Sequence, residues 1–115
     1  MKEVSMQRYE FFLKYFSPKI QDVFLEQQQQ PCALVFGGND AEKIPNEAPT
    51  TKPELLYHLA NVLSPEDWNR LLNGQRISAT AFTEQGRYRL TATNENDVLG
   101  IRVTALNVIK KPEKA

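Results

Sequence analysis

Three arginines in the last third of this 115-residue chain have the spacing to recognise an anion. Arg87 and Arg89 are separated by one residue, so on a β-strand they share a face at about 7 Å. Arg102 comes within reach if its strand pairs antiparallel with theirs. Planar guanidinium groups offer bidentate donors to phosphate or carboxylate, and Thr91, Thr93 and Thr104 would stand beside them. The alternative is a solvated outer face of an antiparallel sheet, which commonly carries such residues. Tyr88, between the paired arginines, supplies a ring that could stack on single-stranded nucleic acid, although that chemistry needs a more positive groove than zero formal net charge suggests. A second set of candidate contacts lies near the N-terminus, where Phe12 and Phe16 belong to an aromatic-rich segment. Those rings either pack on the domain or remain available to another chain.

Other chemistries find little support in the residues. His58 is the only histidine, set between Tyr57 and Leu59 without a His or Cys partner at metal-ligand spacing, so a structural role is expected. Cys32 is the only cysteine and heads an apolar run in which it acts as a small hydrophobe. No disulfide, zinc site or Cys/His nucleophile pair follows from one residue of each type. Gly37-Gly38-Asn39-Asp40 reads as a turn, because G-x-x-x-x-G-K-[ST] occurs nowhere in the sequence. The expectation is a protein without a catalytic centre, metal or cofactor.

The elements that must position the arginines are legible from periodicity. Ile77–Thr83, Arg87–Thr93 and Val98–Leu106 are rich in β-branched and aromatic residues, and Glu84-Gln85-Gly86 and Asn94-Glu95-Asn96-Asp97 separate them as turns. They predict an antiparallel meander with Tyr88, Leu90 and Ala92 on the apolar face and Arg87, Arg89, Thr91 and Thr93 on the other. Leu99, Ile101, Val103 and Ala105 likewise oppose Gly100, Arg102 and Thr104. Upstream, Thr51-Lys52-Pro53-Glu54 is a capping-box pattern opening a helix from about Pro53 to Leu63. Ser64-Pro65-Glu66-Asp67 starts a second, with Trp68, Leu71 and Leu72 on its buried side and Asn73-Gly74 as its stop.

Before these helices, Cys32–Phe36 predicts a buried strand, and residues 39–51 form a long loop with an edge strand near Glu42–Ile44. Tyr9, Phe12, Leu13 and Phe16 predict a helix from Lys2 to about Phe16. Ser17-Pro18 then resembles a new N-cap, and Ile20, Val23 and Phe24 extend helical spacing to the glutamines. Gln27–Gln30 read as a flexible spacer ending at Pro31. The expected organisation is therefore a helical arm and Gln-rich linker over residues 1–31, an α/β domain over 32–107, and a flexible tail over 108–115.

Composition suits one compact domain, with 41% hydrophobic and 24% charged residues. The charge is uneven: residues 1–68 carry about −4 and residues 69–115 about +4. No stretch approaches the roughly 18 apolar residues of a spanning helix, and the start has no apolar signal region. A cytoplasmic location is expected.

The stretch from about Cys32 to Asn107 resembles the small PAS-like domain that precedes the motor domain in the ATPases of type IV pilus retraction and type II secretion. Arg87-Tyr88-Arg89-Leu90-Thr91 is similar to that family's R-[FY]-R-[VL]-x strand. Ile101-Arg102-Val103-Thr104-Ala105-Leu106 is similar to its following strand, where an arginine also recurs, and the two helices fall in corresponding order. The sequence departs from the pattern in Cys32–Phe36 and Lys43-Ile44, which keep little of the family's Asp-aliphatic-His strand and Pro-rich turn. It also contains neither a Walker A sequence nor an acidic Walker B strand. In the family, arginines of this domain approach nucleotide held by the motor domain, and the resemblance places Arg87, Arg89 and Arg102 in that role.

The resemblance implies an α+β fold with a three- to five-stranded antiparallel sheet, helices on one face and an N-terminal helical arm. It implies a non-catalytic adaptor or regulatory module of a pilus or secretion assembly, in the setting of twitching motility or type II secretion. The expected partner is a protein, with an assembly ATPase as a candidate, and neither membrane insertion nor nucleic acid is expected. The alternative is a PAS-like sensor of a small anionic ligand or nucleotide.

Overall fold

A computed structural model describes residues 9–83 and 86–108, with side chains placed as far as residue 106. The fold is α+β, built on an antiparallel sheet of six strands rather than three to five. The strands are β1 (Ile20–Glu26), β2 (Cys32–Val35), β3 (Glu42–Lys43), β4 (Ile77–Thr83), β5 (Gly86–Glu95) and β6 (Val98–Val108). Their order across the sheet is β3-β2-β1-β6-β5-β4. Two meanders, one from each half of the chain, are therefore joined where β1 pairs with β6. The helices are α1 (residues 9–13), α2 (Lys52–Val62) and α3 (Pro65–Leu72).

Local sequence explains the C-terminal meander. Tyr88, Leu90 and Ala92 of β5 and Leu99, Ile101 and Val103 of β6 are buried on one face, as period-two alternation requires. Asn96 and Asp97 both take positive φ, 54° and 66°, closing the β5–β6 hairpin with the left-handed turn that matches strand twist. The neighbouring pair Glu95↔Val98 makes it a two-residue connection. Residues 84–85 and 109–115, and the start of the expected N-terminal helix at 2–8, lie outside the described residues.

The helix starts also follow their signals. Thr51 Oγ1 accepts from the Glu54 N–H at 3.3 Å, and Glu54 Oε1 accepts from the Thr51 N–H at 3.4 Å, a complete capping box. Ser64 Oγ accepts from the Asp67 N–H at 3.1 Å to open α3. Gly74, at φ +86°, ends it in the left-handed conformation that glycine adopts at little cost. Leu55 and Leu59 of α2 and Leu71 of α3 are fully buried with Phe12, Val23, Leu25 and Leu90, so the helices cover one face of the sheet.

The N-terminal half differs from expectation. Ile20–Glu26 is a strand paired on both sides, with β2 and β6, and not a helix. Ile20, Val23 and Phe24 match helical spacing, but Val23 and Leu25 also match period two, and two flanking ladders decide for the strand. The sheet thus begins inside the segment expected to be an arm. The glutamines are not a loose spacer either. Gln27 Oε1 accepts from the Leu99 N–H at 2.8 Å, and Gln30 Nε2 donates to the Ile44 carbonyl at 2.7 Å. Thr50, itself buried, donates to the Glu26 carbonyl at 3.0 Å. Glutamine amides of the β1–β2 turn thus serve backbone groups at the start of β6 and just after β3. β3 forms the sheet's outer edge at Glu42–Lys43, as the loop's pattern suggested.

Candidate functional site

The face of the sheet turned away from the helices carries the arginines. Ladder register places its side chains in cross-strand rows. One row runs Thr80, Arg89, Thr104, Asp22; the next runs Ser78, Thr91, Arg102, Phe24; a third contains Thr93, Gly100 and Glu26. Arg87 stands one step beyond Arg89, opposite Phe82. The three predicted arginines are thus brought to one face, with Arg89 and Arg102 as diagonal neighbours on β5 and β6.

Arg102 differs from the other two. Its Nε and Nη2 each donate to a separate oxygen of Asp22 at 3.3 Å, a side-on bidentate pair, while Thr104 Oγ1 donates to Asp22 Oδ1. Asp22 is 0% exposed, whereas the Arg102 side chain is 53% exposed and lies 5.2 Å from the centroid of the Phe24 ring. A buried carboxylate with three donors and a guanidinium resting on an aromatic ring fix the orientation of Arg102. Part of its charge is spent on Asp22. Arg87 and Arg89 are exposed and have no ion pair among the described residues, so their charge faces outward.

Beside these rows lies a shallow groove of about 340 Å³, whose lining includes Gly100, Phe24, Arg76, Arg102, Glu26 and Glu95. Its floor is open at Gly100, where a Cβ would rest at ordinary contact, 3.6 Å from Thr93 Oγ1. A side chain at that position would fit the backbone and fill the groove. The groove is bipolar, because Glu26 and Glu95 offset the guanidinium groups. The arginine face proper lies toward Arg87 and Arg89.

The aromatic candidates lie elsewhere. Phe12 and Tyr88 are buried in the core between sheet and helices, and Phe16 is half-buried with its ring edge-on to Tyr88 at 5.0 Å between centroids. Burial pushes the Tyr88 hydroxyl pKa up. Neither Phe12 nor Tyr88 presents a surface to a partner, and base stacking on Tyr88 is excluded because strand alternation turns the ring inward while Arg87 and Arg89 turn outward. The rings anchor α1 instead. Phe11 stacks on His58 at 3.9 Å with planes 5° apart, and the Lys14 ammonium sits 5.0 Å above the Phe11 ring.

His58 therefore has the structural role its isolation suggested. Burial lowers its pKa, Glu54 opposes that shift and Lys14 adds to it. Burial, with Glu47 and Glu54 adding to it, raises the Tyr15 hydroxyl to about 12. Cys32 is half-buried, and among the described residues no three His, Cys, Asp or Glu side chains group as metal ligands. The glycine pair forms the expected turn, with the Gly38 N–H donating to the Val35 carbonyl at 3.0 Å. Among the described residues no helix is long and apolar enough to cross a membrane.

Asp22, Phe24 and Arg76 are the site residues that sequence reasoning missed. The alternation Asp22, Phe24, Glu26 against Val23, Leu25 was the available signal, and a helical reading of the segment concealed it.

No family model and no curated protein matches the sequence. Among solved structures, the chain is similar to the crystal structure of the pilus retraction motor PilT with bound ADP, at 14% identity and a TM-score of 0.64, over 98% of this chain and 31% of that one. It is also similar to the X-ray structure of the Legionella pneumophila ATPase DotB, at 22% identity and a TM-score of 0.63, over 99% of this chain and 31% of that one. The chain thus spans about a third of each. At these identities the likeness is one of fold, and it bears out the structural side of the resemblance read from the hairpin: the fold is that of a region of the pilus retraction motor PilT and of the ATPase DotB.

Proposed function

We propose that this chain is a non-catalytic adaptor or regulatory module that docks through its arginine face on a protein of a type IV pilus or secretion assembly, with an assembly ATPase as the foremost candidate. The observation that carries this reading is the open sheet face, where Arg87 and Arg89 are exposed without an ion pair among the described residues and Arg102 is oriented by buried Asp22. Such a face suits carboxylates or phosphates on a partner, because guanidinium groups on a rigid sheet lose little freedom on binding. The fold shared with the pilus retraction motor PilT and with DotB supports the assembly context. Affinity capture from the native lysate tests it. The expected result is recovery of an assembly component by the unaltered chain and its loss with the Arg87→Glu/Arg89→Glu double variant. Unchanged recovery with that variant would sink the arginine face as the docking surface.

A second reading, a sensor of a small anionic ligand, is favoured by the groove that Arg76 and Arg102 both line. Its site would be this open groove, because the space between sheet and helices is occupied by Phe12, Leu25, Leu55, Leu59 and Leu90. A nucleotide that binds the folded chain raises its thermal midpoint. No shift at millimolar nucleotide argues against a sensor.

A further inference from the structure

The sheet has two outer strands of opposite construction. β3 is two residues long, both charged and exposed, with Pro45 two positions beyond. Short length, charge and proline are the features by which natural sheets prevent edge pairing. β4 has none of them: Ile77-Ser78-Ala79-Thr80-Ala81-Phe82-Thr83 is seven residues without charge or proline. Among the described residues its backbone pairs with β5 on one side, and from Ile77 to Phe82 no strand pairs with the other. Phe82 on this strand is 68% exposed. An uncharged, regular edge of this length is a template for another strand.

The order of residues points to what that strand is. Laid antiparallel against a copy of itself about Thr80, β4 places Ala79 beside Ala81 and Ser78 beside Phe82. The large Phe82 side chain then meets a small one, and Thr80 meets Thr80. No like charges oppose each other, as they would wherever a charged residue sat at or near the axis. We propose that β4 pairs with β4 of a second copy of this chain, antiparallel about a two-fold axis at Thr80. Both sheets then form one continuous sheet, and Phe82 is covered beside Ser78 of the partner subunit. The two arginine faces become one, with Arg87 and Arg89 of each copy flanking the seam. Seven residues of edge bury less than the 1,200–2,000 Å² typical of stable complexes, so the dimer forms reversibly with concentration.

Sedimentation equilibrium over a rising concentration series reads this directly. The expected mass climbs from 13.2 kDa toward twice that value. Thr80 is exposed on the outer face, so Thr80→Lys and Thr80→Glu are each expected to keep the fold, checked by circular dichroism, while like charges across the axis hold each variant at monomer mass. Mixed in equal amounts, the two variants are expected to recover the dimer, because unlike charges then meet at the axis. A wild-type mass that stays at 13.2 kDa throughout overturns the proposal. So does dimerisation of either charged variant alone. A mixture that stays monomeric overturns the two-fold register at Thr80 and leaves the edge to a strand from a different protein. None of these outcomes depends on whether the arginine face docks on an assembly partner.

Discussion

The two faces of the sheet are held by different physics. The covered face is a continuous apolar layer in which Phe12, Leu55, Leu59, Leu71 and Leu90 are fully buried between helices and strands. Its stability is spread over many contacts, each weak alone. The open face concentrates its order in one group: Asp22 fixes Arg102 and Thr104, while Arg87 and Arg89, on the same face, touch no opposite charge among the described residues. A surface can therefore be rigid at one arginine and available at two others. That division suits the docking role proposed above, in which Arg102 is held in place and Arg87 and Arg89 keep their charge free of ion pairs among the described residues.

Substitutions separate the two faces by size of effect. On the covered face, Phe12→Ala is expected to cost about 3–5 kcal/mol, because it empties a fully buried ring site; urea unfolding reads this as a lower midpoint at unchanged slope. On the open face, Arg102→Leu is expected to cost about 3 kcal/mol by leaving the Asp22 carboxylate buried with Thr104 as its remaining side-chain donor. The double change Asp22→Leu/Arg102→Leu is expected to regain most of that loss. A double variant as unstable as the single one would show that the pair is not the source of the cost.

Smaller effects sharpen the comparison. Thr51→Ala removes the capping box that starts α2 and is expected to lower stability by about 1 kcal/mol. Arg89→Ala, on the same face as Arg102, is expected to stay within about 0.5 kcal/mol, since the guanidinium has no ion pair among the described residues to lose. A loss as large as that of Arg102→Leu would contradict the division between tethered and untethered arginines.

The α1–α2 contact adds a pH dependence. The folded state holds the His58 pKa below its ordinary 6.5, so the unfolded chain binds the proton more readily. Stability from this group is complete above pH 6.5 and falls as the solution is acidified through the lowered value. His58→Phe keeps an aromatic ring against Phe11 and removes the titration. Its thermal midpoint is expected to fall less between pH 7 and pH 5 than that of the unaltered chain. Parallel curves would rule out His58 as the source.

Legibility followed the range of the deciding interactions. The β5–β6 hairpin was readable because its alternation, its turn residues and its partner strand lie within 25 consecutive positions. The capping box of α2 and the Ser64 N-cap of α3 were readable for the same reason, each being a contact across three residues. β1 was not, because its residues also fit helical spacing and the ladder that sets it inside the sheet is with Gly100–Thr104, more than 70 positions away. Asp22 and Arg102 are 80 residues apart in sequence, and only the β1–β6 ladder brings them together.

Residue order alone thus determined which side chains of β5 and β6 share a face, because side-chain direction alternates wherever a strand forms. It also determined where α2 and α3 begin, because a cap is satisfied by atoms a few bonds away. Only the tertiary structure decided that Ile20–Glu26 is a strand, that the glutamines are ordered, and that Phe12 and Tyr88 are core rather than surface. Those outcomes depend on hydrogen bonds and apolar contacts between distant segments, whose combined free energy outweighs a local helical preference that amounts to a few tenths of a kcal/mol per residue.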